Sequence, residues 1–123
     1  MKNNQDEPHV VVLILSYNGK NILEETISSY LKNVYSNFQV VVIDNGSTDG
    51  TEDYVIENFP EVTTIRIQNN RGYSGGFNFG LKYVIDKLYP NYVLITNNDV
   101  VVDKNVISEE HEYDSVVGAP DRV

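Results

Sequence analysis

Apolar residues along this chain fall into two kinds of run. One kind is short, continuous and rich in β-branched residues: Val10-Val11-Val12-Leu13-Ile14-Leu15, Val40-Val41-Val42-Ile43 and Tyr92-Val93-Leu94-Ile95. Each is too short for a helix and reads as a strand, the first two buried on both faces. Residues 62–67 alternate apolar and polar positions instead, as an edge strand does. The other kind recurs at helical spacing. Leu23, Ile27, Tyr30, Leu31 and Val34 make one such stripe, and Phe77, Leu81, Val84, Ile85 and Leu88 make another. Asn21 with Glu24, and Asp49 with Glu52, have the spacing of helix-capping pairs, and Pro60 closes the second of these helices. Residues 69–76 read as a glycine-rich loop, and residues 1–8 as a flexible tail ending at Pro8. Residues 104–112 are expected to form a short helix, and residues 115–118 to begin a further strand.

Strands that alternate with helices in the order β-α-β-α-β-α-β imply an α/β fold, a mainly parallel sheet with helices on both faces. A chain of 123 residues allows one domain, and 41% hydrophobic content is enough for a core. There is no cysteine, which excludes disulfides and thiolate chemistry. The formal net charge of −9, with scattered Lys and Arg, argues against nucleic acid as a partner. It also means that a phosphate-bearing ligand would need a divalent cation or oriented backbone N–H groups to offset the repulsion. No apolar run approaches the roughly 20 residues of a membrane span. The polar first nine residues are unlike a signal peptide. The expected location is therefore the cytoplasm, free or peripheral at the cytoplasmic membrane face.

In an open parallel sheet, ligands bind beyond the carboxyl ends of the strands. Three strands here end in polar clusters: Ser16-Tyr17-Asn18, Asp44-Asn45-Gly46 and Asn97-Asn98-Asp99. The remaining strand leads into the glycine loop. Several nucleotide folds are excluded at these ends. Ser16-Tyr17-Asn18-Gly19 is not the G-x-G-x-x-G of a dinucleotide fold, and no P-loop is present. The glycine-rich, arginine-containing loop of a sugar nucleotidyltransferase is absent too. Asn45 to Gly50 imitates the start of an EF-hand loop, but the position that needs a bidentate Glu is Ile56.

Four blocks do fit one pattern: Val-Leu-Ile-Leu-Ser-Tyr-Asn (12–18), Val-Ile-Asp-Asn-Gly-Ser-Thr-Asp-Gly-Thr (42–51), Asn-Arg-Gly-Tyr-Ser-Gly-Gly-Phe-Asn-Phe-Gly (70–80) and Thr-Asn-Asn-Asp-Val (96–100). In this order, each at a strand end, they resemble the family 2 glycosyltransferases, closest to the rhamnosyltransferase-like branch, over about residues 9–103. The resemblance implies a GT-A-type, Rossmann-like three-layer α/β/α fold. It also implies transfer of a sugar, with inversion, from a UDP- or dTDP-sugar to the hydroxyl of a saccharide or lipid-linked acceptor, as in cell-wall or polysaccharide biosynthesis.

The resemblance carries over residue by residue. Asp44 matches an aspartate that accepts a hydrogen bond from the imide N–H of uracil or thymine; otherwise it caps its own turn. Tyr17 matches a residue that packs on the base, or is an ordinary half-buried tyrosine. Asn18 either holds its loop or touches the nucleotide. Ser16 and Asn45 are assigned to nucleotide-sugar binding with their blocks. Gly72, Gly75 and Gly76 would bring backbone and a helix N-terminus near a diphosphate or sugar, or simply turn the chain. Arg71 is the nearest cation for phosphate, or a solvated loop residue. Asn78 would brace the loop. Asn97-Asn98-Asp99 stands where the family has D-x-D. Asp99 is the expected ligand of Mg²⁺ or Mn²⁺, and Asn97 a neutral partner for a sugar or ribose hydroxyl. Asp103 reads as a helix cap.

No block after Asp103 resembles the family's general base. The acidic residues Glu109, Glu110, Glu112 and Asp114 read as a solvated stretch, and His111 as a surface histidine. The expectation is a donor-binding half whose acceptor half lies elsewhere, inactive alone and able to form a homodimer through an uncovered strand edge. The alternative is a non-catalytic nucleotide-binding or interaction module of the same fold.

Overall fold

The two continuous β-branched runs at residues 10–14 and 40–43 are almost wholly excluded from solvent, so both of their faces must be covered. The computed structural model describes residues 7–112 and shows how. The elements are β1 (Val10–Ser16), α1 (Leu23–Leu31), β2 (Phe38–Asn45), α2 (Thr51–Asn58), β3 (Thr63–Ile67), α3 (Gly72–Leu88), β4 (Tyr92–Asn97) and α4 (Val106–Glu112). The strands form one sheet in the order β3-β2-β1-β4, and every pairing is parallel. The alternating run at residues 62–67 is the edge strand β3, as its pattern predicts. The strand expected at residues 115–118 lies outside the described residues.

Side chains alternate across each strand, so each run feeds two cores. Val10, Val12, Ile14, Val40 and Val42 pack against Leu23, Ile27 and Tyr30 of α1, Val55 of α2 and Ile107 of α4. Val11, Leu13, Val41, Ile43 and Val93 pack against Phe77 and Val84 of α3. Helices on both faces give the three-layer α/β/α architecture. Among the described residues no helix is long and apolar enough to cross a membrane.

Several local expectations shift. Asn21 does not cap α1. The N–H groups of Ile22 and Leu23 donate to the Gly19 carbonyl at 3.0 and 2.9 Å, so the turn itself satisfies them. Helix α1 ends at Leu31, which leaves Val34 59% exposed and gives its place in the core to Tyr35. Asp49 does cap α2, from just outside the Gly50 N-cap: its Oδ1 accepts the Thr51 N–H at 3.0 Å. The Thr51 hydroxyl, rather than Glu52, supplies the companion bond. Glu7 and Pro8, assigned by sequence to a flexible tail, are pinned. The Glu7 carbonyl accepts from Asn37 Nδ2 at 2.8 Å, and the Pro8 carbonyl accepts from the Tyr35 hydroxyl at 2.6 Å. Burial, with Glu7 and Tyr92 nearby, pushes the Tyr35 phenol up to about 12. Asp103 caps the turn into α4, its Oδ2 accepting the Asn105 N–H at 2.9 Å.

The largest departure is the start of α3. Residues 72–76 of the expected 69–76 loop are its first turn and a half, starting from Gly72 at a φ of 76°. Glycine is a poor helix former, at a cost of about 1 kcal/mol against alanine. Here packing overrides propensity. A Cβ on Gly80 would stand 2.9 Å from Ile43 Cγ1 and 3.2 Å from both Leu13 methyls. A Cβ on Gly76 would stand 2.6 Å from Leu15 Cδ1 and 2.9 Å from Asn45 Nδ2. The two glycines form the stripe on which α3 approaches the sheet.

Two outcomes follow for stability. Gly80→Ala gains about 1 kcal/mol of helix propensity but overpacks Leu13 and Ile43, so urea unfolding should show a net loss of roughly 1–2 kcal/mol. A variant as stable as the parent would mean that α3 stands further off the sheet. Asp49 is the second case. Burial alone would raise its carboxyl, but hydrogen bonds from the Thr51 side chain, the Lys20 N–H and the Thr51 N–H outweigh that and hold its pKa below the ordinary value. Asp49→Ala should cost about 1 kcal/mol at neutral pH, the usual value of a cap. A carboxylate lowered on folding stabilises above its unfolded pKa of about 3.9 and loses that effect as pH falls through the lowered value. The two proteins should therefore converge in acid, and a gap that persists there would remove Asp49 as the cause.

Candidate functional site

Pairing register decides which side chains meet at the top of the sheet. Ser16 lies opposite Asp44, and Leu15 opposite both Ile43 and Asn97, so the three strands end within two residues of one another. A cavity of about 370 Å³ opens at these ends, a size suited to a small-molecule site. Leu15 and Tyr17 line it from the end of β1, and Asn45 from β2. Asn70, Gly72 and Tyr73 come from the entry to α3, and Asn97, Asn98 and Asp99 from the end of β4. A cavity of about 410 Å³ lies on the flank of α1 beside Val101 and Lys104. It gathers mixed-charge surface residues and no strand end, so the site belongs with the former.

Asn45 is the floor and the brace. It is 3% exposed, and its amide is used on both sides. Oδ1 accepts the Arg71 N–H at 3.0 Å, while Nδ2 donates to Asn70 Oδ1 and to the Gly72 carbonyl, each at 3.1 Å. The bracing role expected of Asn78 therefore falls to Asn45, and Asn78 is an exposed residue of α3. Asn70 Oδ1 also accepts the Gly72 N–H at 2.6 Å, an Asx-type turn that starts the helix. Gly46 is needed beside it, at a φ of 75° and with a Cβ position only 2.5 Å from the Asn70 nitrogen.

The loops after β1 and β2 are stitched together. Asn18, at a φ of 50°, donates its N–H to Ser47 Oγ at 2.8 Å, and its Oδ1 accepts the Thr48 N–H at 2.8 Å. Of its two sequence readings, holding the loop is the one these bonds display. The Lys20 N–H reaches Asp49 Oδ2 at 3.2 Å. On the far side, Asn98 Nδ2 donates to Ser16 Oγ at 2.9 Å, and the Asn98 carbonyl accepts from Thr26 Oγ1 at 2.9 Å. Ser16 is 1% exposed and supports Asn98 from below. A Cβ on Gly19 would stand 2.2 Å from that Ser16 oxygen.

The structure thus brings Tyr17, Asn45, Gly72, Asn97, Asn98 and Asp99 to one cavity, as their motifs suggest. It does not bring Asp44 there. Asp44 shares the alternation of Val40 and Val42, so it faces the α1 and α2 side, opposite Leu15 and Asn45. Its side chain is 0% exposed; Oδ1 accepts the Ser47 N–H at 3.0 Å and Oδ2 pairs with Arg66 at 2.9 Å. The turn-capping alternative describes it, with an ion pair added. Arg71 is also absent from the cavity wall; its guanidinium lies over the Phe79 ring, 5.1 Å from the centroid. Gly75 packs near Arg71 Cβ, and Gly76 near Leu15 and Asn45, so both make close contacts with protein.

Sequence reasoning did not single out Leu15, Asn70 or Tyr73. Asn70 was visible as an Asx residue two before a glycine. Tyr73 was visible as a bulky residue inside a glycine run, 64% exposed with its ring edge on Phe77 at 4.8 Å. As for metal, no group of three or more acidic or imidazole side chains converges among the described residues. Asp99 is the one carboxylate among the cavity's lining residues, flanked by the amides of Asn97 and Asn98. Such a set suits a hard divalent cation only when a ligand supplies further oxygens, the usual way Mg²⁺ is held between a carboxylate and phosphates.

The architecture and the motifs have counterparts. The chain resembles the solved structure of S. aureus TarS in complex with UDP, with a TM-score of 0.74 and 23% identity over 87% of this chain and 32% of that one. It also resembles the mannosyltransferase PcManGT from Pyrobaculum calidifontis in complex with GDP-Man and Mn²⁺. There the TM-score is 0.77 and the identity 24%, over 90% of this chain and 33% of that one. At that identity the likeness is one of fold. By sequence it is 28% identical over 122 residues to poly-beta-1,6-N-acetyl-D-glucosamine synthase of Staphylococcus aureus, covering 94% of this chain and 29% of that protein. The chain spans about a third of the length of the curated relatives it matches. The family model described as Glycosyl transferase family 2 matches residues 11–122, nearly the whole sequence, and the chain belongs to that family.

Proposed function

We propose that this chain binds the donor of a glycosyltransferase reaction, in which a sugar passes from a nucleotide diphosphate to an acceptor hydroxyl. The observation that carries the reading is the convergence of three strand ends on one cavity with Asp99 at its rim. The relatives and the solved structures, one holding UDP and another GDP-Man with Mn²⁺, support it. UDP and dTDP are the proposed nucleotides, UDP in line with the similar structure solved with it and dTDP as the second candidate that the motif resemblance implies. With Asp44 buried in its ion pair, the nucleobase is left to Tyr17 rather than to that carboxylate. A saccharide or lipid-linked acceptor is the proposed partner, and polysaccharide synthesis the setting.

Tyr17, 49% exposed at the cavity, offers a flat face for the base. Asp99 would hold Mg²⁺ or Mn²⁺ together with the diphosphate oxygens. The ion would supply charge neutralisation of the leaving diphosphate. In a single displacement the acceptor oxygen bonds to the anomeric carbon as the bond from that carbon to the diphosphate oxygen breaks, which inverts the centre. The acceptor proton must pass to a base. Asp99 is committed to the cation, and no residue lining the cavity is assigned as that base. The proposed contribution of residues 7–112 is donor binding and orientation.

Calorimetry tests this directly. UDP or dTDP should bind more tightly with Mn²⁺ than without it, while Mn²⁺ alone binds weakly for want of a second carboxylate. Asp99→Ala should abolish the gain from Mn²⁺ and leave the metal-free affinity nearly unchanged. Equal Mn²⁺ enhancement in both proteins would remove Asp99 from the role, and no nucleotide binding at all would overturn the donor reading.

A further inference from the structure

Tyr73 stands between two cavities of unlike character. On one side is the polar cavity at the strand ends; on the other is a groove of about 390 Å³ lined by Phe77, Leu81 and Ile95 with Ser74 and Asn78. An exposed tyrosine alone calls for no explanation. This one is restrained at both ends. Its ring meets the buried Phe77 edge-on at 4.8 Å and 73°, and its hydroxyl donates to Asn97 Oδ1 at 3.4 Å. That bond joins the first turn of α3 to the end of β4 across the cavity mouth.

The bond also decides what Asn97 can recognise. An amide carries one acceptor oxygen and one donor NH₂. With the oxygen facing the Tyr73 hydroxyl, Asn97 offers a ligand its NH₂, which pairs with oxygen and repels a cation. A carboxylate in the same place would offer only acceptors. The neighbouring amides are already committed, Asn45 to the loop before α3 and Asn98 to Ser16. At the β4 end, Asn97 by contrast is exposed, and its amide meets the exposed Tyr73 hydroxyl.

We infer that Tyr73 is a positioning residue, which turns the Asn97 amide so that its NH₂ donates to a ribose hydroxyl or phosphate oxygen of the bound nucleotide. Asn97 and Asp99 then divide the ligand between them, one reading oxygen and the other holding the cation. This rests on the donor-binding reading above. At 3.4 Å and exposed, the Tyr73–Asn97 bond contributes little to the stability of the fold, so its removal should be felt in binding.

A double-mutant cycle with UDP as the probe, in the absence of divalent metal, tests the inference. Tyr73→Phe keeps the ring on Phe77 and removes only the hydroxyl, so the melting temperature should hold. UDP affinity should fall about three- to tenfold, the range for one hydrogen bond. Asn97→Ala should cause a loss of similar size, and adding Tyr73→Phe to it should cost less than about twofold further, because the two act as a unit. Asn97→Asp, which keeps an acceptor for Tyr73 but offers the ligand no donor, should match Asn97→Ala or be worse. An equal loss from Tyr73→Phe in both backgrounds would mean that Tyr73 meets the nucleotide itself, and no loss in either would remove it from the site. Both results overturn the inference while leaving donor binding intact. Failure of the parent protein to bind UDP or dTDP would overturn both readings.

Discussion

Level pairing of parallel strands is the constraint on which the rest of this molecule depends. A parallel sheet covered on both faces tolerates no polar side chain along its middle, and residues 10–14 and 40–43 obey that limit. Polar chemistry is pushed to the ends. Because β1 is in register with both β2 and β4, those ends coincide in space although they are far apart in the chain. The cavity is thus a product of the same pairing that makes the core. Its floor, Asn45, is the next residue in the row that begins with Val41 and Ile43.

Much of this was legible in the residues. Run length and β-branching mark the central strands, and alternation marks β3 as an edge. The residues that end β1, β2 and β4 announce where a ligand would sit. The parity of Asp44 was legible too: it lies two and four residues beyond Val42 and Val40, so it shares their face. Motif matching drew attention to the charge rather than to the parity, and the neutral neighbour Asn45 is the residue that reaches the cavity.

What was not legible depends on tertiary contact. Glycines at 72, 75 and 76 read as a loop because isolated propensity disfavours them in helices. Only the nearness of Leu15 and Asn45 explains why α3 begins among them. Val34 fits the stripe of α1 by spacing, but the helix stops three residues earlier, and Tyr35 fills the core from an irregular backbone. Arg71 is positive and close in sequence, yet Phe79 holds its guanidinium. In each case a packing partner outcompetes the local signal. The one-carboxylate rim of the cavity, by contrast, follows from the sequence alone, since Asn97 stands where a second acid would be.

The close approach at Gly46 has a different kind of consequence. There the turn after β2 meets the loop before α3 through main-chain atoms, with no side chain between them. Such a contact is blind to what Asn69 carries beyond its backbone, so variation there leaves the wall of the cavity where it is. It is intolerant of a single carbon added at position 46. The loop before α3 is therefore fixed in place before any ligand arrives, and little ordering entropy remains to be lost on that side when one binds. Adaptation to different ligands falls to the opposite rim, where Tyr17 and Asp99 are exposed.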